Sequence, residues 1–177
     1  MKKNVLLAFF LLTLSSVSLF SQEDPFLHDF LERWENSKLY LLDMAEAMPE
    51  MYFHTKPNTE VMSFAEQLMH ISVVLDWHAF SKFDGREEGI RWDEFNVGDQ
   101  SKEELIGKTA REFDRAADLI RNFDPKRLDE KGSYAKFSRT RRQFLLLLAD
   151  HVSHHRGQMV VYLRLKGVKP PNYINYQ

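Results

Sequence analysis

Residues 150–158 read DHVSHHRGQ, with His151, His154 and His155 inside five positions and Gly157 just beyond. The stretch interrupts what is otherwise a long apolar helix. Histidine is a middling helix former, and a helix-interior glycine costs about 1 kcal/mol relative to alanine. A helix that accepts both where it should pack a core invites a chemical explanation. His151 and His155 are four apart and so project from one face, about one turn from each other. That is the spacing at which two imidazoles on one helix share a metal ion. His154 lies about 100° round the helix and should point elsewhere.

The surrounding pattern is helical. In the segment from Thr140 to Lys166 the core-facing positions are Phe144, Leu148, His151, His155, Met159 and Tyr162, with TRRQ (140–143) as a capping box and Gly167 as the C-terminal stop. Three earlier segments behave alike. Residues 25–48 carry Leu27, Phe30, Leu31, Trp34, Leu41, Ala45 and Met48 at helical spacing, with Pro25 in the first turn. Residues 63–84 open on the capping box SFAE and residues 101–123 on SKEE, the latter with a seam of Leu105, Thr109, Phe113, Ala116, Ile120 and Phe123. With no strand-like alternation and no glycine-rich phosphate loop, the expected fold is all-α, a four-helix bundle. The last two connections, roughly 16 residues each, are long for a bundle and leave room for a crossover topology. In the first of them IRWDEFNVG (90–98) reads either as a lid or as a plug of Trp92 and Phe95 at the bundle end. The basic run KFSRTRR (136–142) reads as a solvated helix entry.

Composition narrows the chemistry. The chain has 177 residues, 44% hydrophobic and 28% charged, which suits one domain. It has no cysteine, so any metal must be held by His, Asp, Glu or backbone, and thiolate nucleophiles are excluded. Residues 1–21 have the basic start, apolar stretch and small polar tail of a secretory signal, with cleavage expected before Gln22. The apolar stretch is broken by Thr and Ser and falls short of the roughly 20 residues needed to span a bilayer. No stable membrane span is therefore expected after cleavage, and the mature domain, 22–177, is expected to be periplasmic or secreted. Removing Lys2 and Lys3 from 24 basic residues against 26 acidic ones leaves a net charge of about −4, which gives no reason to expect a nucleic-acid partner.

A metal site needs a third ligand from another helix, and His70, two turns into the second segment, is the candidate. His78 is assigned to packing near Trp77, and His28 and His54 have less support still. Gly157 reads either as a site of close helix approach or as space beside a metal.

The run HVSHHRGQMVVYLRLKGVKPP (151–171) resembles the final-helix motif of DinB-like proteins. The opening of the second helix, from Ser63 to Ile71, and the preceding MPE…KP loop resemble the same family. The resemblance spans about residues 25–173. It implies a four-helix bundle, commonly a homodimer, with one divalent ion on three histidines, which by motif position are His70, His151 and His155, and with water in the open positions. Histidine-rich coordination suits zinc, nickel, iron or copper, with zinc or nickel placed first. An open site of this kind lowers the pKa of bound water towards ~7. The family includes thiol-dependent transferases and isomerases. A metal-dependent hydrolase or transferase acting on a small-molecule substrate, which the sequence does not identify, is therefore the first functional expectation. A noncatalytic exported metal- or ligand-binding bundle is the alternative. No catalytic base is assigned, and Glu66 is only a guess. Glu66, Gln67, Asp150 and Gln158 are near enough in sequence to support the ligand rings, and His154 and Arg156 are expected at the surface.

Overall fold

The structure is a computed structural model that describes residues 24–86, 89–134 and 136–177. The proposed signal, residues 1–21, lies outside the described residues. Four long helices dominate. Helix α1 (Pro25–Ala47) is followed by a single-turn α2 (Glu50–Phe53), then by α3 (Phe64–Ala79), α4 (Lys102–Arg121) and α5 (Arg141–Leu165). Their starts are where the sequence puts them. Asp24 caps α1, and Ser63, Ser101 and Thr140 each close a reciprocal capping box with Glu66, Glu104 and Gln143. A π-helical turn, Phe80–Asp84, extends α3 and ends at Gly85, whose φ of 78° is a left-handed conformation that glycine adopts freely. Among the described residues no helix is long and apolar enough to cross a membrane.

Contacts between named side chains fix the topology. Trp34 on α1 donates its indole N–H to the Phe113 carbonyl on α4 at 3.1 Å, while Lys102, at the start of α4, reaches the carbonyls of Glu46 and Met48 at the C-terminal end of α1. These two helices are antiparallel. So are α3 and α5, since Met62 meets Tyr162, Gln67 meets Gln158 and His78 meets Phe144. Conversely, Ser72 meets Thr109 and Asp76 meets Arg115, so α3 and α4 run parallel. Arg142 lies over Phe26 and Arg156 reaches Ser37, so α1 and α5 also run parallel. Helices α1 and α3 each pack between α4 and α5, facing each other across the bundle. A parallel pair that is consecutive in sequence requires the chain to return the length of the bundle. The long connection after α3 is that return, so the crossover that its length leaves room for is present.

The core fills the space between the four helices. The α4 seam read from the sequence is buried throughout, from Leu105 to Phe123, and Trp34 sits at its centre with its ring 4.6 Å from Phe113. Two expectations need correction. Strands β1 (Lys131–Tyr134) and β2 (Phe137–Thr140) form a small antiparallel hairpin before α5, where no strand is expected. The run read as a helix entry is largely β2. It has no apolar alternation because β2 is exposed along most of its length, so its pairing rests on backbone hydrogen bonds rather than on a buried face.

Gly157 is the second correction. It is exposed, and a Cβ built on it meets nothing within 4 Å. Close helix approach therefore does not require glycine there. Gly157→Ala is therefore expected to stabilise the fold by about 0.5–1 kcal/mol, read as a raised urea midpoint with an unchanged slope. A lower midpoint would mean that the position is occupied by something outside the monomer.

Candidate metal centre

The antiparallel packing of α3 against α5 brings the three expected histidines together. His70 Nε2 and His155 Nε2 each lie 3.1 Å from His151 Nε2, and one ligand atom from each ring falls within 4.8 Å of the others. His155 is buried, while His70 and His151 are half-buried. Two nitrogens held at roughly 2.0–2.1 Å by one ion, with ordinary bond angles, are roughly 2.9–3.4 Å apart. The two 3.1 Å separations fit that range, and three imidazoles are a borderline-soft set suited to a late first-row ion.

Burial also sets the protonation. His151 is pushed down to about 3 and His155 to about 4, by desolvation first and by the neighbouring rings second. His70 is lowered too, by burial and then by His154. All three rings are neutral at pH 7, so each has a lone pair to offer. A metal-binding imidazole usually donates its other N–H to an acceptor. Of the four residues near enough in sequence, Gln67 is the one that reaches a ligand ring, its Oε1 lying 2.5 Å from His155 Nδ1. Gln158 instead holds Gln67, and Asp150 is exposed. Among the described residues His151 Nδ1 is buried with no hydrogen-bond partner, and the polar contacts of that ring are at Nε2.

Access is from the His70 side. A cleft of about 310 Å³ is lined by His70, Phe95, Lys56 and Glu66, among others. Phe95 comes from the 3-10 turn Trp92–Phe95 and lies with its ring 5.0 Å from that of His70. Trp92 stacks on Phe95 but is 76% exposed, so it does not plug the bundle end. Glu66 stands in the cleft wall, yet its carboxylate accepts from the Ser63 N–H at 2.6 Å and the Lys56 ammonium at 2.8 Å. Burial pushes it up, and those hydrogen bonds more than reverse this, holding it below the usual carboxylate range. It is therefore a poor proton acceptor at neutral pH.

The other histidines fall outside the cluster. His78 is buried against Trp77 and Phe144 with Nε2 3.2 Å from the Phe144 carbonyl, the packing role expected of it. His28 and His54 are exposed. Arg156 departs from its expected surface position. It is buried, donates to Ser37 Oγ at 2.6 Å and lies over the rings of Tyr40 and Tyr173. Tyr173 belongs to a C-terminal 3-10 turn packed on α1, a long-range contact with no local sequence signal. Gln67 had one available signal, a carboxamide one helical turn before a candidate ligand.

The DinB family profile matches residues 20–176. The chain belongs to the DinB family. Two solved DinB-like structures share the fold at 20% sequence identity. One, from Bacillus cereus ATCC 10987, aligns with a TM-score of 0.69 over 82% of this chain and 95% of its own. The other, from Bacillus subtilis, has a TM-score of 0.66 over 82% of this chain and 96% of its own. No curated protein matches the chain.

Because the folded state keeps its buried histidines neutral, the unfolded chain takes up their protons first as pH falls. Their contribution is fully present above the ordinary imidazole value of 6.5 and is lost as pH falls towards 3–4. Between pH 7.5 and 5.5 the chelator-treated protein should lose on the order of 1 kcal/mol per buried ring. Denaturant titrations across that range should show it, with a shallower slope for His151→Phe.

Proposed function

We propose that His70, His151 and His155 hold one divalent ion, with zinc or nickel first, and that the protein is a metal-dependent enzyme of hydrolase or S-transferase type. The observation that carries this reading is the meeting of three neutral Nε2 atoms, one of them on His70, which lines an adjoining cleft. An ion there supplies Lewis-acid polarisation of a carbonyl, or acidification of a water or thiol. The chain's own residues do the rest. The three rings would hold the ion, Phe95 packs against His70, and Lys56 offers a positive charge at the cleft wall, balanced by Glu66.

The same reading takes residues 1–21 as a cleaved leader and the protein as exported. Low-molecular-weight thiols are cytosolic, so water is the favoured nucleophile. A homodimer belongs to this proposal as well. One observation favours the noncatalytic alternative. Glu66, one turn before His70 and in the cleft wall, is tied to Lys56 and Ser63 and is not free to act as a base.

Elemental mass spectrometry of untagged mature protein decides the first step. Close to one divalent ion per chain is expected, falling below a tenth of that in His70→Ala/His151→Ala while far-ultraviolet circular dichroism is retained. Absence of metal after reconstitution at neutral pH would overturn both readings. Metal with hydrolysis of ester or amide substrates, lost in His151→Ala, supports the enzyme. Metal without turnover on ester, amide or thiol-transfer substrates leaves the binding protein.

A further inference from the structure

The exposed end of the histidine motif remains unexplained, and hydrogen bonds tie it to the buried end. His155 Nδ1 lies 2.5 Å from Gln67 Oε1, Gln67 Nε2 donates to Gln158 Oε1 at 2.6 Å, and Gln158 Nε2 lies 2.8 Å from His154 Nε2. The chain therefore runs from a buried ring on α5, across to α3, and back to a solvent-exposed ring on α5.

A carboxamide has one donor end and one acceptor end, so the direction of such a chain is all-or-none. In the direction observed, His154 Nε2 accepts, Gln158 presents its oxygen to Gln67, and Gln67 presents its oxygen to His155. His155 must then be protonated on Nδ1, which leaves the Nε2 lone pair facing His151 and His70. Reversing one amide alone would set two acceptors or two donors against each other. Reversing both would place the Gln67 NH₂ on His155 Nδ1 and move the ring proton to Nε2, into the site. Just two self-consistent directions exist, and one of them presents a ligand.

We infer that Gln67, held in orientation by Gln158 and His154, is a positioning residue that keeps His155 in its ligand tautomer, Nδ1–H with Nε2 bare. His154 and Gln158 are thereby remote members of the site rather than surface decoration. His151 supplies an internal contrast, because among the described residues its Nδ1 is buried without a hydrogen-bond partner, so its tautomer is set within the cluster. The inference rests on the proposed metal site only for its consequence. The tautomer itself is a property of the metal-free protein.

The test is two-bond ¹H–¹⁵N correlation spectroscopy on histidine-labelled, chelator-treated full-length mature protein at pH 7.5, beside zinc titrations monitored by competition with a chromophoric chelator. In the wild type His155 should be protonated on Nδ1. In Gln67→Leu it should move towards a mixture of tautomers, and His151, whose Nε2 faces that of His155 at 3.1 Å, should respond with it. Zinc affinity should fall 10–100-fold. Gln67→Glu keeps an acceptor at the same place and should restore both readouts. Gln158→Leu should shift both in the same direction by less, and it replaces Gln67→Leu if that variant does not fold. A wild-type His155 protonated on Nε2, or a tautomer unmoved in Gln67→Leu and Gln158→Leu, overturns the inference. Failure of the wild type to bind zinc overturns the metal reading instead, and the spectra still decide the positioning role.

Discussion

Everything distinctive about this protein hangs on the register of α5 against α3. Three hydrogen bonds mark it along the seam, from Tyr162 to the Met62 carbonyl, through Gln67 with Gln158, to His78 and the Phe144 carbonyl. The histidine cluster lies between the last two. A slip of one residue along α5 turns its side chains by about 100°, which would carry His151 and His155 away from His70. The register also has a cost, because three imidazoles are brought together with their nitrogens facing one another. Neutral rings reduce the electrostatic part of that cost, and burial keeps them neutral.

The bundle's topology bears on the same place. Because α3 and α4 run parallel, the segment between them must travel back along the molecule. On its way it lays Phe95 against His70 and buries Val97. The crossover and the screened face of the cluster are thus one feature. On the other side of α5, Arg156 is clamped by Ser37, Tyr40 and Tyr173, so the residue beside His155 is anchored to α1 and the C-terminal turn. The site is held from two sides by contacts that span most of the chain.

Metal binding and catalysis remain separate questions in this architecture. The donor set and its spacing are compatible with an ion, and Gln67 supports one of the rings. The cleft offers an apolar ring, a lysine and glutamate paired with each other, and a second glutamate, Glu60, on its wall. Chemistry at such a site would depend on the ion and on the substrate's own groups more than on a protein base.

The amino-acid sequence by itself determined what is local. Helical periodicity, the capping boxes at Ser63, Ser101 and Thr140, and the i,i+4 placement of His151 and His155 involve residues within a turn of each other, and each is legible without a partner. The apolar seam of α4 was legible for the same reason. The hairpin before α5 was not, because its exposed strands carry no alternating pattern. Close helix approach at Gly157 was not found, since an exposed glycine and a crowded one look alike in a sequence. The tertiary structure alone decided which helices run parallel, that His70 meets the other two rings, that Gln67 rather than Glu66, Asp150 or Gln158 takes His155 Nδ1, and that Arg156 turns inward. Each of these joins residues dozens of positions apart, and such pairings are set by the packing of whole helices rather than by the neighbours of any one residue.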